Sequence, residues 1–190
     1  MSFLMQASDL RAGRRLFMSR SGLLLSASAV ALLAGRDALA ASAADSPASD
    51  AGILNSALGA EQEAIAAYQF GADSGLLKPD VKQIALTFQG HHKAHADLLA
   101  ATVTKFGGKP VQPKAHYTFP EAKLKSQTDV LRFAADLEHG AVKAYLGAIP
   151  KFSDRQLSGS AGSILADEAM HWAVLRHALG EPPVPGPFVG

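Results

Sequence analysis

In the segment Leu165-Ala-Asp-Glu-Ala-Met-His-Trp172, the carboxylate of Glu168 and the imidazole of His171 stand three residues apart inside an otherwise apolar stretch. Three residues is close to one helical turn, so both side chains project from the same face. Leu157, Ala161, Ile164, Leu165, Trp172, Leu175 and Leu179 recur around them at steps of three and four, which makes that face the buried one. A carboxylate buried there without a partner either shifts its pKa or destabilises the fold. A cation held by the carboxylate and the imidazole together resolves that cost, although a solvated or salt-bridged pair is the commoner fate of a lone Glu-x-x-His. The choice turns on whether other segments supply further ligands.

Three other helical segments do. The first is predicted over residues 51–73, where Ile53, Leu54, Ala57, Leu58, Ile65 and Tyr68 form a stripe that includes Glu61 and turns Glu63 away. Asp50 is placed to cap it. The second, 79–106, opens with Pro79 in its first turn and directs Val81, Ile84, Phe88, Leu98, Leu99, Thr102 and Phe106 inward. His91, His92 and His95 fall in its middle. With about 100° per residue, His92 lies about 60° to one side of His95 and His91 about 40° to the other, so helical phase alone does not choose between them.

Gly107-Gly-Lys-Pro110 stops that helix, and an irregular stretch carrying Pro110, Pro113 and Pro120 continues to about residue 126. Such a connection is long for a compact domain. At roughly 3.3 Å per residue it can run the length of a helical bundle, though a loop returning to the same end also fits. The third helix, 127–149, carries Leu131, Ala134, Val142, Tyr145 and Ile149 on one face with Glu138 at its centre, and Pro150 ends it. The fourth, 154–179, contains Glu168 and His171 and stops at Gly180 and the prolines that follow. No segment alternates like a strand, and no internal repeat is evident beyond the four-helix pattern.

Glu61, His92, His95, Glu138, Glu168 and His171 all lie near the middle of their helices, and in a four-helix bundle those midpoints meet at one level of the core. Three of the six glutamates beyond residue 40 occupy positions where a helix should be apolar. Taken singly each has an ordinary explanation: Glu61 can snorkel, and Glu138 can pair with His139 or a lysine. Taken together they point to oxygen and nitrogen ligands around a cation.

The pattern resembles the ferritin-like superfamily, in particular bacterioferritins and exported bacterial ferritin-like proteins. Glu61-Gln-Glu-Ala-Ile-Ala-Ala-Tyr68 matches that family's glutamate followed seven residues later by tyrosine, and Asp167-Glu-Ala-Met-His171 its second Glu-x-x-His. His92-Lys-Ala-His-Ala-Asp97 falls where the family has Glu-x-x-His-Ala-Asp. The resemblance spans residues 51–179 and implies an all-α, ferritin-like four-helix bundle with a long crossover from the second helix to the third. It implies iron, as a di-iron or mono-iron site, or manganese, and redox chemistry with oxygen or peroxide: ferrous oxidation or peroxide removal. Glu61, His95, Glu138, Glu168 and His171 would be ligands, and Tyr68 a hydrogen-bond donor behind them.

One departure stands out. His92 occupies the place of the family's first bridging glutamate. A bridging carboxylate holds two cations about 3.5 to 4 Å apart, whereas a neutral imidazole binds one metal through one nitrogen and adds no charge. A second ion should bind more weakly, or the site should hold one. His91 and His95, spaced i and i+4, form a further possible chelating pair. The contrasting reading is a bundle that keeps the fold without catalysis, its carboxylates ion-paired with the histidines, in a stress-related or partner-binding role.

The flanks concern location. Arg11, Arg14, Arg15 and Arg20 precede an uncharged run over residues 21–35, and Ala38-Leu-Ala40 supplies a small-x-small cleavage site, the layout of an export signal over 1–40. Gly13-Arg-Arg-Leu-Phe-Met18 resembles the twin-arginine signature, which implies a periplasmic or secreted protein exported folded; an arginine-rich secretory signal is the alternative. The apolar run is shorter than the ~20 residues of a comfortable span, so no membrane span is expected after processing. Residues 41–50 read as a flexible lead-in and 181–190 as a proline-rich tail that cannot form a fifth helix, which favours a monomer or dimer over a cage. Cleavage after residue 40 would remove five arginines and two aspartates and leave 13 basic and 15 acidic residues, so no basic nucleic-acid surface is expected. With no cysteine in the chain, thiolate sites and disulfides are excluded.

Overall fold

The computed structural model describes residues 49–189, and among these the regular structure is entirely helical. Helix α1 spans Asp50–Asp73, α2 Pro79–Lys105, α3 Gln127–Ala148 and α4 Arg155–Ala178, with short 3-10 turns at Glu121–Lys123 and Ile149–Lys151. The predicted export signal and residues 41–48 of the lead-in lie outside the described residues. No described helix is long and apolar enough to cross a membrane.

The helix ends follow local chemistry, with one correction. Ser49, not Asp50, caps α1: its hydroxyl accepts from Gly52 N at 3.1 Å. Asp50 is already helical, and its two carboxylate oxygens accept instead from Ser153 N at 2.8 Å and Asp154 N at 2.9 Å. With one oxygen for each of two adjacent amides, Asp50 ties the start of α1 to the α3–α4 turn. Ser126 and Asp154 cap α3 and α4 through their own side chains. Gly107 and Gly180 adopt positive φ of 78° and 75° where α2 and α4 stop, the left-handed conformation that glycine takes most readily.

The long connection is a crossover. It leaves the end of α2 beside the start of α1, where Asn55 donates to Lys109 O and accepts from Val111 N. Gln62 then donates to Val111 O, and Phe119 packs on Phe70 near the far end of α1. Lys78 N donates to the Gln127 side chain, which fixes the start of α3 beside the start of α2. The helices therefore run up, down, down, up, with α1–α2 and α3–α4 the antiparallel pairs.

Two apolar clusters fill the core. One contains Leu54, Leu58, Leu99, Val103, Tyr145, Leu157 and Ile164; the other contains Tyr68, Phe88, Leu131, Trp172 and Leu175. The predicted inner face of α2 needs correction: Ile84 and Leu98 are 43% and 48% exposed, while Phe88, His92, Ala96, Leu99 and Val103 are buried. Leu98 stands one residue, about 100°, from the buried Leu99, and the phase of the polar positions rather than hydrophobicity alone decides which side faces in.

Candidate metal centre

Between the two apolar clusters lies a layer of ionisable side chains. Glu61, His92, Glu138, Glu168 and His171 are all at most 3% exposed, and the His95 side chain is 13% exposed. The six predicted positions converge, two from α2, two from α4 and one each from α1 and α3. Glu63 is only partly buried and stays outside the layer, as its register predicts.

Two half-sites share a centre. On one side, His95 Nδ1 lies 3.1 Å from Glu168 Oε1 and 3.6 Å from Glu61 Oε2. On the other, His171 Nδ1 lies 3.1 Å from Glu168 Oε2 and 3.4 Å from Glu138 Oε1. Glu168 thus gives one oxygen to each half. His92 is the second shared residue: Nδ1 lies 2.8 Å from Glu61 Oε2, and Nε2 lies 3.3 Å from Glu138 Oε1. It stands where a bridging carboxylate would, with each nitrogen facing one half, and this geometry selects His92 rather than His91 as the core imidazole. Ligand atoms of Glu61, His92, His95 and Glu168, and of His92, Glu138, Glu168 and His171, each fall within 4.8 Å of one another.

The electrostatics follow from burial and pairing. Burial alone would push the His92 ring down, but hydrogen bonds to Glu138 and Glu61 outweigh it and hold the ring up to about 11. The carboxylates of Glu168 and Glu61 paired with His95, and of Glu138 and Glu168 paired with His171, likewise outweigh burial and push each ring up to about 9. Conversely, burial would raise the carboxyls of Glu61 and Glu138, yet the imidazoles beside them hold both below the ordinary carboxylate range.

Two tyrosines close the layer. Tyr68 of α1 donates to Glu138 Oε1 on α3, and Tyr145 of α3 donates to Glu61 Oε1 on α1 at 2.6 Å. Burial, with the carboxylates beside them, pushes both phenols well above their usual range, so each remains a donor. The sequence reading singled out Tyr68 and treated Tyr145 as apolar packing. The missed signal is an internal repeat: Glu61-x-x-Ala-Ile-x-Ala-Tyr68 recurs as Glu138-x-x-Ala-Val-x-Ala-Tyr145, and His92-x-x-His95 aligns with Glu168-x-x-His171. The chain therefore carries two related helix pairs, contrary to the expectation of no repeat. Glu138 takes Tyr68, His92 and His171 as partners rather than His139 or a lysine, and His139 stacks on Trp172 with ring centroids 4.2 Å apart.

The donor set fits a first-row divalent cation, being oxygen and nitrogen in a dry core. Two buried atoms, His95 Nδ1 and Glu168 Oε1, face each other at 3.1 Å as an ion pair without hydrogen-bond geometry. Buried polar atoms are ordinarily satisfied, and a cation held between these two would satisfy both.

Residues 49–181 match the ferritin-like domain family. The chain belongs to this family. A solved structure of a conserved hypothetical protein from Mycobacterium tuberculosis superposes with a TM-score of 0.62 at 21% identity, over 72% of this chain and 94% of that one. A ferritin-like, di-iron-carboxylate protein from Bacillus anthracis superposes with a TM-score of 0.59 at 20% identity, over 68% of this chain and 94% of that one. No curated protein matches the sequence. The ferritin-like assignment accounts for the four-helix architecture, the crossover and the level at which the ionisable layer sits.

Proposed function

We propose that this ferritin-like protein is exported and binds iron or manganese in its core, where the site reacts with oxygen or peroxide. The observation that carries metal binding is the pair of buried atoms His95 Nδ1 and Glu168 Oε1, left without hydrogen bonds in a layer of three carboxylates and three imidazoles. Glu61 and His95 would hold one side, Glu138 and His171 the other, with Glu168 common to both. Bound iron or manganese would supply electrons for reducing oxygen or peroxide.

The chain's own residues prepare that site. Tyr145 donates to Glu61 Oε1 and leaves Oε2 turned to His92 and His95, whereas Tyr68 donates to the same Glu138 Oε1 that faces His92 and His171; each contact holds its carboxylate in place. Phe88 stacks on His171 at 4.0 Å between centroids and excludes water from that side. An apolar cavity lined by Tyr68, Phe88, Leu131 and Leu175 adjoins the layer and suits a small apolar oxidant. His92, in its neutral form, has one lone pair and one N–H, so it can serve only one half-site at a time. The two halves are inequivalent for that reason, and the second ion is the weaker.

A second reading has its own support. The imidazoles and carboxylates neutralise one another within the layer, so the bundle could persist without metal in a structural or partner-binding role. Elemental analysis and anomalous scattering on protein purified after native export separate the two. Less than about a tenth of an equivalent of iron, manganese or zinc, with no rise in melting temperature when these are added, would overturn the metal-binding reading.

A further inference from the structure

Outside the core layer lies a second convergence that neither the fold nor the bundle-centre ligands require. His91 Nδ1 sits 2.9 Å from His171 Nε2 and 3.1 Å from Asp167 Oδ2, and His171 Nε2 is 3.3 Å from that same oxygen. For bonds of about 2.1 Å, neighbouring ligands of an octahedral ion are about 3.0 Å apart, so these three atoms have the spacing of one octahedral face. The side chains of His91 and Asp167 are 45% and 21% exposed, so water can complete the coordination. The core carboxylates behind them, Glu138 and Glu168, are 1% and 0% exposed.

We propose that His91, Asp167 and His171 form an outer site for a divalent cation, through which the core is loaded, and that sharing His171 makes occupation of the two sites through that ring mutually exclusive. The proposal rests on the metal-binding reading of the core. A neutral imidazole has one lone pair. With the His171 Nδ1 lone pair turned to the core, Nε2 carries the proton and donates to Asp167 or His91. With the proton on Nδ1, it donates to Glu168 or Glu138, and Nε2 joins the outer face. Both tautomers have partners in place, at 2.9 to 3.3 Å outward and 3.1 to 3.4 Å inward. Asp167 serves each state: it is an outer ligand in one, and in the other its Oδ2 orients both His171 and His95, whose Nε2 is 3.3 Å away. A cation at this half-exposed face exchanges water for ligands in steps rather than shedding its whole shell at the dry layer.

The test is anaerobic stopped-flow uptake of cobalt(II), whose visible absorption reports coordination, by the full-length protein and its His91→Ala variant. Equilibrium stoichiometry is measured alongside. The expected result is an unchanged final stoichiometry with uptake slowed about tenfold, in line with the loss of a supporting group at a metal site. In a Glu138→Gln background, a weak cobalt signal that disappears with His91→Ala should remain. Loading of His91→Ala at the wild-type rate would overturn the proposal. So would a wild-type protein that holds two core ions and an outer ion together, three equivalents in all, with one removed by His91→Ala. Absence of any cobalt binding by the wild type is a different result, since it removes the core reading as well.

Discussion

Metal binding should release protons in a number that reports what His92 does. At pH 7 the His95 and His171 rings, pushed up to about 9, and the His92 ring, pushed up to about 11, all carry protons in the metal-free protein. A ring must lose a proton to become a ligand. For His95 and His171 the gap to pH 7 is two units each, so protonation weakens binding by about 100-fold per ring and about 10,000-fold for the pair. Apparent affinity should therefore climb from pH 6 to 9, by about one decade per pH unit for each proton released. If only those two rings ligate while His92 stays a protonated strut between Glu61 and Glu138, about two protons leave per site filled; if His92 ligates as well, about three leave. Calorimetric titration of anaerobic protein with manganese(II), in buffers of different ionisation enthalpy, counts them directly. An affinity flat from pH 6 to 9, with no protons released, would refute the pairing inferred between these rings and the carboxylates.

The same shifts govern the stability of the metal-free protein. The raised histidines contribute fully below their ordinary value of 6.5, and that contribution is lost as pH climbs through about 9 and then about 11. The lowered Glu61 and Glu138 contribute above their ordinary 4.5 and lose that contribution as pH falls below it. Urea midpoints should therefore be highest between those two values and decline from pH 7 to 10. Tyr145→Phe strands a buried Glu61 oxygen and should cost about 1–3 kcal/mol in urea unfolding, with Tyr68→Phe costing less because Glu138 Oε1 keeps His92 and His171 beside it. Glu168→Ala or His171→Ala should remove the core metal, by elemental analysis, in a protein that remains helical by circular dichroism, whereas Glu63→Ala should change little. His92→Glu restores a carboxylate between the halves and should raise occupancy of the second ion; unchanged stoichiometry would count against the role assigned to His92.

Much of this arrangement is readable in the chain because burying charge is costly. A glutamate at the centre of an apolar stripe, as at Glu61 and Glu138, requires a reason that a surface glutamate does not, and helical period places it in depth as well as direction. What periodicity could not settle was phase within α2. His91, His92 and His95 span about 100° of the helix, and the packing of Phe88, Leu99 and Val103 selects the side that faces in. Leu98 and Ile84, equally apolar, lie outside that face. Tyr145 was obscured for the opposite reason: an aromatic residue on an inward stripe needs no polar explanation, and only the distance from its hydroxyl to Glu61 shows that it has one. Asp167 stands beside the glutamate of a familiar motif, and its role becomes visible once three imidazoles are seen to meet one of its oxygens.

The repeat explains why the site has two halves, and the break in the repeat explains why they need not behave alike. Tyr68 and Tyr145 cross the bundle reciprocally, each donating to the glutamate of the other helix pair. His95 and His171 likewise present their Nδ1 atoms to opposite oxygens of Glu168. The symmetry fails at His92, the counterpart of Glu168, and again at His91, the counterpart of Asp167. Both differences replace a carboxylate of one pair with an imidazole in the other, so both remove negative charge from the α2 side. A symmetric set of ligands would hold two like cations with four carboxylates; here three carboxylates and a shared ring must serve. On the proposed reading, the two α2 imidazoles would weaken the hold on a second ion in the core while offering a nitrogen donor at its edge. The two effects would belong together: a centre less able to retain a pair of ions would have, one residue away from His92, a position from which an ion could pass to or from His171.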